Sequence, residues 1–535
     1  MRQEQREPAR SEERMKRRTY LRAAGASALA VGLAGCGGLI PGKDDEGRGT
    51  VSQTEGRPSG TTEPGEEDRF PTEGPVEYRG IEFDRVLDAE RDFRMDANGN
   101  RPIDGDILEL MSMDRTLLRV RPGRYKFHDE HRIERAFENI GIVGVGDSHR
   151  DVVFWTPETE GRKFLNVREG GSGFLLENVT FDHMDGDGSI GSTLRMHDKL
   201  RVHTVEHIGH NPTDNNGAVD NLIAQVLDSD GRGIIEGFVR AGPTNITSHG
   251  HLGDDANEGC IYVGGDHAGE LLIRDSHIEN TGTNAIYASR VPGNVIIENT
   301  AFVNNNQASL RIGGEGSVVR DCRFLIDTDN ANPDNGGEYI NPNAILWETG
   351  SFGKTGGRIE GCEFVYRSAP PDAKAAIWAD GSAGAFTVSD TSFEIDVPGI
   401  TAIRADDPED PRLGATAAKP WGVTLSNVVI DTSEGVDGAL IRLTGRPNSV
   451  IDGCCLSVSD ARGVIKLAGS PESAIQNLNV MYELNIAESA DVVNMSGSAG
   501  TLLRDINVND AGCAAGVAED AGTTTPDASS LPEGR

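Results

Sequence analysis

The hexapeptide Leu176-Glu177-Asn178-Val179-Thr180-Phe181 contains the pattern that decides the fold of this chain. An apolar residue and any residue precede Asn, Asp or Gly, and a small or apolar residue, any residue and an apolar residue follow. Nine further copies begin and end at Ile273 and Ile278, Ile297 and Phe302, Val319 and Phe324, Ile359 and Phe364, Val388 and Phe393, Leu425 and Ile430, Ile451 and Leu456, Ile475 and Val480, and Leu503 and Val508. A pattern that returns ten times indicates a repeat architecture.

The central residue of every copy belongs to the three residue types that tolerate left-handed backbone angles. These central residues are Asn178, Asp275, Asn299, Asp321, Gly361, Asp390, Asn427, Gly453, Asn477 and Asp505. On either side apolar and polar residues alternate, which is typical of strands with one buried face. Each copy is therefore predicted to form two short strands that meet at a corner.

A second strand pattern precedes most copies, as in Ala285-Ile286-Tyr287 and Ala402-Ile403-Arg404. From Asp275 onward successive corners lie 22 to 40 residues apart, which is in the range of solenoid repeats. One such unit cannot bury its apolar side chains alone, whereas stacked units share a common interior. We therefore expect stacked coils of two or three short strands.

This arrangement resembles the right-handed parallel β-helix of the pectate lyase and polygalacturonase superfamily, over roughly residues 80–508. The resemblance implies an all-β, single-stranded right-handed parallel β-helix of roughly ten to thirteen coils with an N-terminal cap. The predicted organisation is a signal peptide at 1–35, a disordered acidic linker at 36–77, a cap and first coil at 78–163, the β-helix at 164–508, and a disordered tail at 509–535. A β-propeller and a leucine-rich solenoid are disfavoured because Trp-Asp blade signatures and regular leucine spacing are absent.

The N-terminal segment has the anatomy of an export signal. Arg17 and Arg18 precede a short run rich in Ala, Gly and Leu, which ends at Cys36. The arginine pair resembles a twin-arginine signal, and Leu33 to Cys36 resembles a lipobox, which implies that Cys36 carries a lipid. We therefore expect an exported protein that is anchored to the outer face of the cytoplasmic membrane through its lipid alone.

The charge balance excludes an overall basic footprint for nucleic acid or anionic lipid. The chain has 85 Asp and Glu against 51 Lys and Arg, for a formal net charge of −34. Only nine of the cations are lysines. This acid-rich, lysine-poor composition resembles that of haloarchaeal proteins, in which high salt screens the repulsion between carboxylates.

Two clusters are candidates for function. In the second strand pattern the residue after the inward apolar one is expected to point outward, and these residues form a row rich in aromatic and cationic side chains that would suit an anionic polysaccharide. The row consists of Tyr262, Tyr287, Arg311, Trp347, Trp378, Arg404, Arg442, Lys466 and Asn494. The alternative is that these side chains pack beneath loops or pair with surface acids.

The second cluster is His249-Gly250-His251-Leu252-Gly253-Asp254-Asp255, in which two imidazoles and two carboxylates are candidates for acid and base catalysis. Its Gly-Asp-Asp triplet resembles part of a polygalacturonase active site, but the Gly-His-Gly and Arg-Ile-Lys motifs expected to follow are missing. Nine of the twelve histidines lie between His183 and His277, which indicates either a cleft or metal site or polar filling of loops.

The cysteines show no metal-binding spacing. Apart from Cys36, the cysteines lack the Cys-x-x-Cys spacing of zinc and iron–sulfur sites. Cys322, Cys362 and Cys454 fall at one inward position of their coils and are expected to act as small buried hydrophobes, with a disulfide between coils as the alternative.

The functional hypothesis is a monomeric cell-surface lipoprotein that binds an extracellular, anionic polysaccharide. Whether it also cleaves that polymer, by lyase or hydrolase chemistry, is left open by the residues. The resemblance implies calcium as a cofactor of lyases, yet the sequence identifies no ligand set for a metal. The competing class is a non-catalytic adhesion or display scaffold.

Overall fold

The computed structural model describes residues 70–183, 188–209, 220–244, 259–412, 414–432, 438–458, 463–482 and 492–508. The predicted export signal with Arg17 and Arg18, the lipidation site Cys36 and the tail after residue 508 lie outside these ranges. So do His249, His251, Asp254 and Asp255. No helix in the described ranges has the length and apolar character needed to span a bilayer.

Short strands dominate the described chain, and two short helices lie near its N-terminal end. The helices are α1 (Ala89–Asp92) and α2 (Asp104–Leu110). The strands are β1 Val76–Tyr78, β2 Ile81–Phe83, β3 Arg85–Asp88, β4 Thr116–Val120, β5 Gly123–Lys126, β6 Arg132–Ile133, β7 Glu138–Gly144, β8 Val152–Trp155, β9 Arg162–Val167, β10 Gly171–Asp182, β11 Ile190–Ile208, β12 Leu222–Val226, β13 Arg232–Glu236, β14 Val239–Ala241, β15 Ile261–Val263, β16 Glu270–Arg274, β17 His277–Glu279, β18 Ile286–Tyr287, β19 Asn294–Glu298, β20 Ala301–Val303, β21 Ala308–Ile312, β22 Val318–Arg320, β23 Arg323–Asp327, β24 Asn343–Trp347, β25 Arg358–Glu360, β26 Glu363–Ser368, β27 Ala375–Ala379, β28 Phe386–Ser389, β29 Ser392–Ile395, β30 Thr401–Ala405, β31 Val423–Ser426, β32 Val429–Asp431, β33 Ile441–Thr444, β34 Val450–Asp452, β35 Cys455–Val458, β36 Ile465–Ala468, β37 Ala474–Tyr482, β38 Val493–Ser496 and β39 Leu502–Val508.

The strands from β3 onward pair in parallel and form three faces around a shared interior. Face 1 contains β3, β4, β7, β13, β16, β19, β22, β25, β28, β31 and β34 with parts of β10, β11, β37 and β39. Face 2 contains β5, β8, β14, β17, β20, β23, β26, β29, β32 and β35 with other parts of the same four long strands. Face 3 contains β6, β9, β12, β15, β18, β21, β24, β27, β30, β33, β36 and β38 with the start of β11. Thirteen coils of the described chain have a strand in each face, and the predicted right-handed parallel β-helix is confirmed.

The predicted corners between faces 1 and 2 are confirmed by the backbone. All ten central residues have a positive φ, between 43° at Asn299 and 65° at Gly453. The corners also align, because Glu298 pairs with Arg320 and Arg320 with Glu360, so that Asn299, Asp321 and Gly361 follow one another on consecutive coils. Some corners are joined directly, as where the Asn299 side-chain amide donates to Asp275 Oδ1 at 2.6 Å.

The interior is a continuous apolar column that includes a stack of phenyl rings. Phe302, Phe324, Phe364 and Phe393 occupy the same register position on four consecutive coils, with ring centroids 4.6 to 4.8 Å apart and nearly parallel planes. Cys322, Cys362 and Cys454 are buried free thiols, as expected of small hydrophobes in this column.

Two elements cover the first coils. Helix α2 buries Ile107 and Leu110 in the same core as the coils, and Asp88 caps α1 by accepting from the backbone N–H groups of Glu90 and Arg91. Strands β1 and β2 form an antiparallel hairpin. Residues Ile81 and Phe83 of this hairpin join Leu117 and Leu175 in a second, smaller apolar cluster. Parallel pairing already begins between β3 and β4.

The outward placement predicted for Trp347 is wrong. Trp347 is fully buried and packs against Phe386, with 5.7 Å between ring centroids. Leu346 takes the outward position of this coil and pairs in register with Arg311 and Trp378. The indole fits inside because Trp347 pairs with the small Ala379 and because Gly357 leaves it room. A Cβ at Gly357 would lie 2.7 Å from Trp347 Cζ2. Both Leu346 and Trp347 are apolar, so alternation alone did not determine which one faces the interior.

Candidate functional site

The outward side chains of face 3 form one aligned row, which we call the outer row. The register places Tyr262, Tyr287, Arg311 and Leu346 on consecutive coils. It continues through Trp378, Arg404, Arg442, Lys466 and Asn494. The structure therefore brings together every residue predicted for this row except Trp347.

The N-terminal half of the outer row is already paired within the protein. Arg311 lies over the Tyr287 ring at 4.3 Å and donates through Nε to Glu348 Oε1 at 2.6 Å. Glu348 is fully buried and also accepts from the Ser289 hydroxyl at 2.6 Å. Burial raises the pKa of Tyr287. In this half, the alternative that aromatic and arginine side chains pack beneath loops or pair with acids fits the contacts better than an open binding surface does, although Glu348 is a buried acid and not a surface one.

Trp378 is likewise engaged by its neighbours. The guanidinium groups of Arg404 and Arg412 lie 4.7 and 4.6 Å from its ring centroid, and its indole N–H donates to Asp406 Oδ2 at 2.8 Å. Arg404 donates to both oxygens of Asp406, at 2.8 and 2.9 Å. Because two cations already contact the indole, stacking of a sugar ring on Trp378 would have to displace one of them.

Three carboxylates directly follow two strands of the outer row, and we call them the acid row: Asp380, Asp406 and Asp407. Asp380 follows Ala379 at the end of β27, and Asp406 and Asp407 follow Ala405 at the end of β30, one coil further on. Asp380 is 1% exposed and accepts from the backbone N–H groups of Ser382 at 2.9 Å and Arg412 at 3.1 Å. Asp407 Oδ1 accepts from the Glu409 N–H at 2.9 Å.

Sequence reasoning missed the acid row. Its signal is the pair of equivalent segments Ala379-Asp380-Gly381 and Ala405-Asp406-Asp407, in which Asp follows the last inward residue of the strand in two successive repeats. The abundance of Asp and Glu conceals such a pair unless the coils are first aligned.

The C-terminal half of the outer row borders an open groove of 410 Å³, which we call the cationic groove. Its lining includes Lys374, Arg404, Arg442 and Lys466, and no Asp or Glu is among the described residues that line it. Arg442 and Lys466 are exposed and have no ion pair in the described part of the chain. A Cβ at Gly399 or Gly438 would meet no atom within 4 Å, which places open space beside both glycines.

Within the described ranges the histidines of the histidine-rich stretch do not all meet at one site. His183 and His207 form a buried pair, with 3.2 Å between His183 Nε2 and His207 Nδ1. His207 lies in the core between Phe181 and Phe238, whereas His197 pairs with Asp228 at the surface, at 2.9 Å. His267 bonds to the backbone of Val226 and Asn294. No group of three or more His, Cys, Asp and Glu side chains in the described ranges is arranged to hold a metal ion.

The fold and the site together define a parallel β-helix protein with a cationic groove and an acid row on one face. Among solved structures the chain is similar to the A-module of a mannuronan C-5 epimerase from Azotobacter vinelandii, with 13% identity, a TM-score of 0.43, and coverage of 79% of this chain and 99% of that one. It is also similar to the catalytic unit of a thermostable GH87 alpha-1,3-glucanase from Streptomyces thermodiastaticus, with 11% identity, a TM-score of 0.40, and coverage of 80% and 68%. A third is a family 28 exopolygalacturonase from Yersinia enterocolitica, with 10% identity, a TM-score of 0.30, and coverage of 79% and 78%. No family model matches the sequence, and a search of curated proteins found no match.

Proposed function

We propose that this protein binds an anionic polysaccharide in the cationic groove. One observation carries the proposal: the residues that line the groove include four cations and no carboxylate in the described part of a chain whose formal net charge is −34. A cationic groove on an acidic protein attracts anions locally while the remaining surface repels them. Guanidinium and ammonium groups bind carboxylates and sulfates through charge-assisted hydrogen bonds.

The shape of the groove favours a linear polymer as the ligand. Arg404, Arg442 and Lys466 stand on three consecutive coils in direct register, and coils rise by about 4.8 Å. A chain that carries an acidic group on successive sugars can contact these cations one after another. Arg442 and Lys466 supply most of the attraction because Arg404 is shared with Asp406.

The cellular setting of the proposal comes from the sequence. An arginine pair at Arg17 and Arg18 and a lipobox ending at Cys36 support export and a lipid anchor, which would present the groove to polysaccharides outside the cell. Direct mass spectrometry of the mature N-terminus tests this setting. A diacylglyceryl-modified Cys36 supports it, and an unmodified mature chain contradicts it.

The binding experiment compares a double variant with a matched control. Arg442→Gln with Lys466→Gln removes two cations from the groove, whereas Arg232→Gln with Arg323→Gln removes two exposed cations from faces 1 and 2. Exposed ion pairs contribute about 0.2 to 1 kcal/mol each, so the groove variant should bind polygalacturonate or a sulfated glycan roughly two- to thirty-fold more weakly. Isothermal titration calorimetry over a series of salt concentrations measures the change.

The result has a clear contrary outcome. If the groove variant and the control bind equally, the groove is not the binding site. If neutral dextran binds as tightly as the acidic glycans, the ligand is not selected by its charge. Affinity should fall as salt rises, because exposed charges are screened over about 8 to 10 Å at moderate ionic strength.

The acid row favours a second function, hydrolysis of a glycosidic bond in the bound polymer. Asp380 and Asp406 occupy equivalent positions on adjacent coils, and Asp406 accepts from the groove residue Arg404. The rise of about 4.8 Å between coils allows their carboxyl groups to reach the separations of roughly 5 to 9.5 Å that glycosidases use. Hydrolysis would add one water across the bond and leave one new reducing end per cleavage, without an unsaturated sugar.

Product analysis tests the second function. Incubation with acidic glycans should release reducing ends, and Asp380→Asn or Asp406→Asn should abolish the release while binding persists. Asp254→Asn with Asp255→Asn, the acids chosen from the sequence, is the comparison. If only the Asp254→Asn, Asp255→Asn variant loses product release, the acid row is not the active site. If no bound glycan yields product, the protein is a non-catalytic scaffold.

A further inference from the structure

Arg446 is a fully buried arginine that contacts the backbone beneath the acid row. It lies two residues after the end of β33, on the coil that follows Asp406. Its Nε donates to Asp406 O at 2.8 Å, Nη1 to Ala383 O at 2.8 Å and Gly384 O at 3.0 Å, and Nη2 to Asp380 O at 3.2 Å.

These contacts join three consecutive coils. Asp380, Ala383 and Gly384 belong to the turn after β27, Asp406 to the turn after β30, and Arg446 to the turn after β33. The guanidinium is planar and holds its donors at fixed angles, so one rigid group is bonded to both acid-bearing turns, beyond the point where the pairing of β27 with β30 ends.

Gly445, the residue before Arg446, lies close to Asp407, the third residue of the acid row. Gly445 has a φ of 64°, and a Cβ there would lie 2.3 Å from Asp407 Oδ1. The turn of Arg446 therefore lies directly against Asp407 while its side chain holds the backbone of Asp380 and Asp406.

Packing alone does not explain why a charged guanidinium is buried beneath the acid row. Among the described residues Arg446 donates to carbonyl oxygens and to no carboxylate. Burial lowers the pKa of Arg446 to about 10, so the group stays cationic at neutral pH. A buried cation is unfavourable unless its donors are satisfied, and here every donating nitrogen contacts a turn that carries an acid.

We propose that Arg446 is a positioning residue that holds the Asp380 and Asp406 carboxylates at the separation needed for glycosidic cleavage. The proposal rests on the hydrolytic function proposed for the acid row. Arg446 lies behind that row and is shielded from substrate, so it acts through the two turns that it joins.

The test compares Arg446→Lys with Arg240→Lys. Lysine keeps the charge and loses the planar fork in both variants. Arg240 is also a buried arginine that donates to a backbone carbonyl, but it lies on face 2, several coils away. Two measurements are made on the full chain: kcat and KM for release of reducing ends from polygalacturonate, and hydrogen exchange of the amides in residues 380–384 and 406–412.

The expected result for Arg446→Lys is a fall in kcat of roughly 100-fold, the size of effect caused by a misplacement of about 1 Å, with KM changed less than twofold. Exchange should become faster in both turns together. Arg240→Lys should lower thermal stability without either change. A variant Arg446→Lys with wild-type kcat and wild-type exchange would overturn the proposal.

The two proposals fail in different ways. If the wild-type protein releases no product, the hydrolytic function is refuted, and exchange alone then decides whether Arg446 couples the two turns. The positioning role falls with the hydrolytic function in that case. If the wild-type protein does release product, unchanged exchange and unchanged kcat in Arg446→Lys overturn the positioning role alone.

Discussion

We predict that His207 lowers the stability of this protein in acid, and that its replacement by phenylalanine removes that contribution. The imidazole lies in the core with Phe181 at 4.8 Å and Phe238 at 5.4 Å between ring centroids, and it is 2% exposed. Burial lowers the pKa of His207 to about 3. Phenylalanine already occupies the same register position on the preceding coil, at Phe181, so the ring of His207→Phe continues an existing stack.

The magnitude follows from the pKa difference between the folded and unfolded chain. An unfolded histidine titrates near pH 6.5, so below that pH the unfolded chain binds a proton that the folded chain does not accept. The contribution of His207 is therefore fully present above pH 6.5 and is lost progressively as the pH falls toward 3. Each pH unit in this window costs about 1.4 kcal/mol, which amounts to roughly 2 kcal/mol between pH 7 and pH 5.

The assay is chemical denaturation of the wild type, His207→Phe and the control His197→Gln at pH 7 and pH 5 in the same salt. His197 lies at the surface, where it contacts Asp228 at 2.9 Å, so His197→Gln controls for the removal of an imidazole outside the core. His207→Phe should lose about 2 kcal/mol less than the wild type between the two pH values. Equal losses in the wild type and His207→Phe would refute the reasoning.

Two further predictions concern the core and a buried ion pair. Phe364→Leu should lower the free energy of unfolding by about 1 to 3 kcal/mol, because its ring stacks on Phe324 and on Phe393, with 4.8 and 4.6 Å between ring centroids. Phe393→Leu loses one of these stacks and should cost about half as much. Denaturant midpoints measure both variants, and equal costs would contradict the stacking account. Glu206 is fully buried, which by itself would raise the pKa of its carboxyl group. His149 Nε2 lies 3.1 Å from Glu206 Oε2, and Arg150 donates to both carboxylate oxygens at 2.7 Å. These two contacts outweigh burial and lower the pKa of Glu206 to about 2. The ionised Glu206 stabilises the folded chain above pH 4.5, and this stabilisation is lost as the pH falls through about 2. In thermal denaturation, Glu206→Gln should therefore be less stable than the wild type at pH 7 and should approach it near pH 2. A constant difference across that range would contradict this prediction.

The sequence determined the fold because its corners are local. A residue such as Asn299 or Gly453 takes a left-handed backbone conformation for reasons confined to its own side chain, and the alternation on either side turns the apolar residues inward. The periodic spacing of these corners then leaves stacking as the means to bury the apolar side chains. The row from Tyr262 to Lys466 also follows from this alignment, since equivalent residues of successive coils share one position.

Tertiary structure decided what that alignment could not. Whether Leu346 or Trp347 faces the core depended on the space left by Ala379 and Gly357, which belong to other turns and coils. Some cations are paired with acids far along the chain, as Arg311 is with Glu348, whereas Arg442 and Lys466 line the cationic groove. The acid row arose only when the ends of β27 and β30 were stacked, and the single arginine that joins them lies on a third coil. Side-chain volume, charge pairing and the buried contacts of Arg446 are properties of neighbours in space, and a local pattern does not encode them.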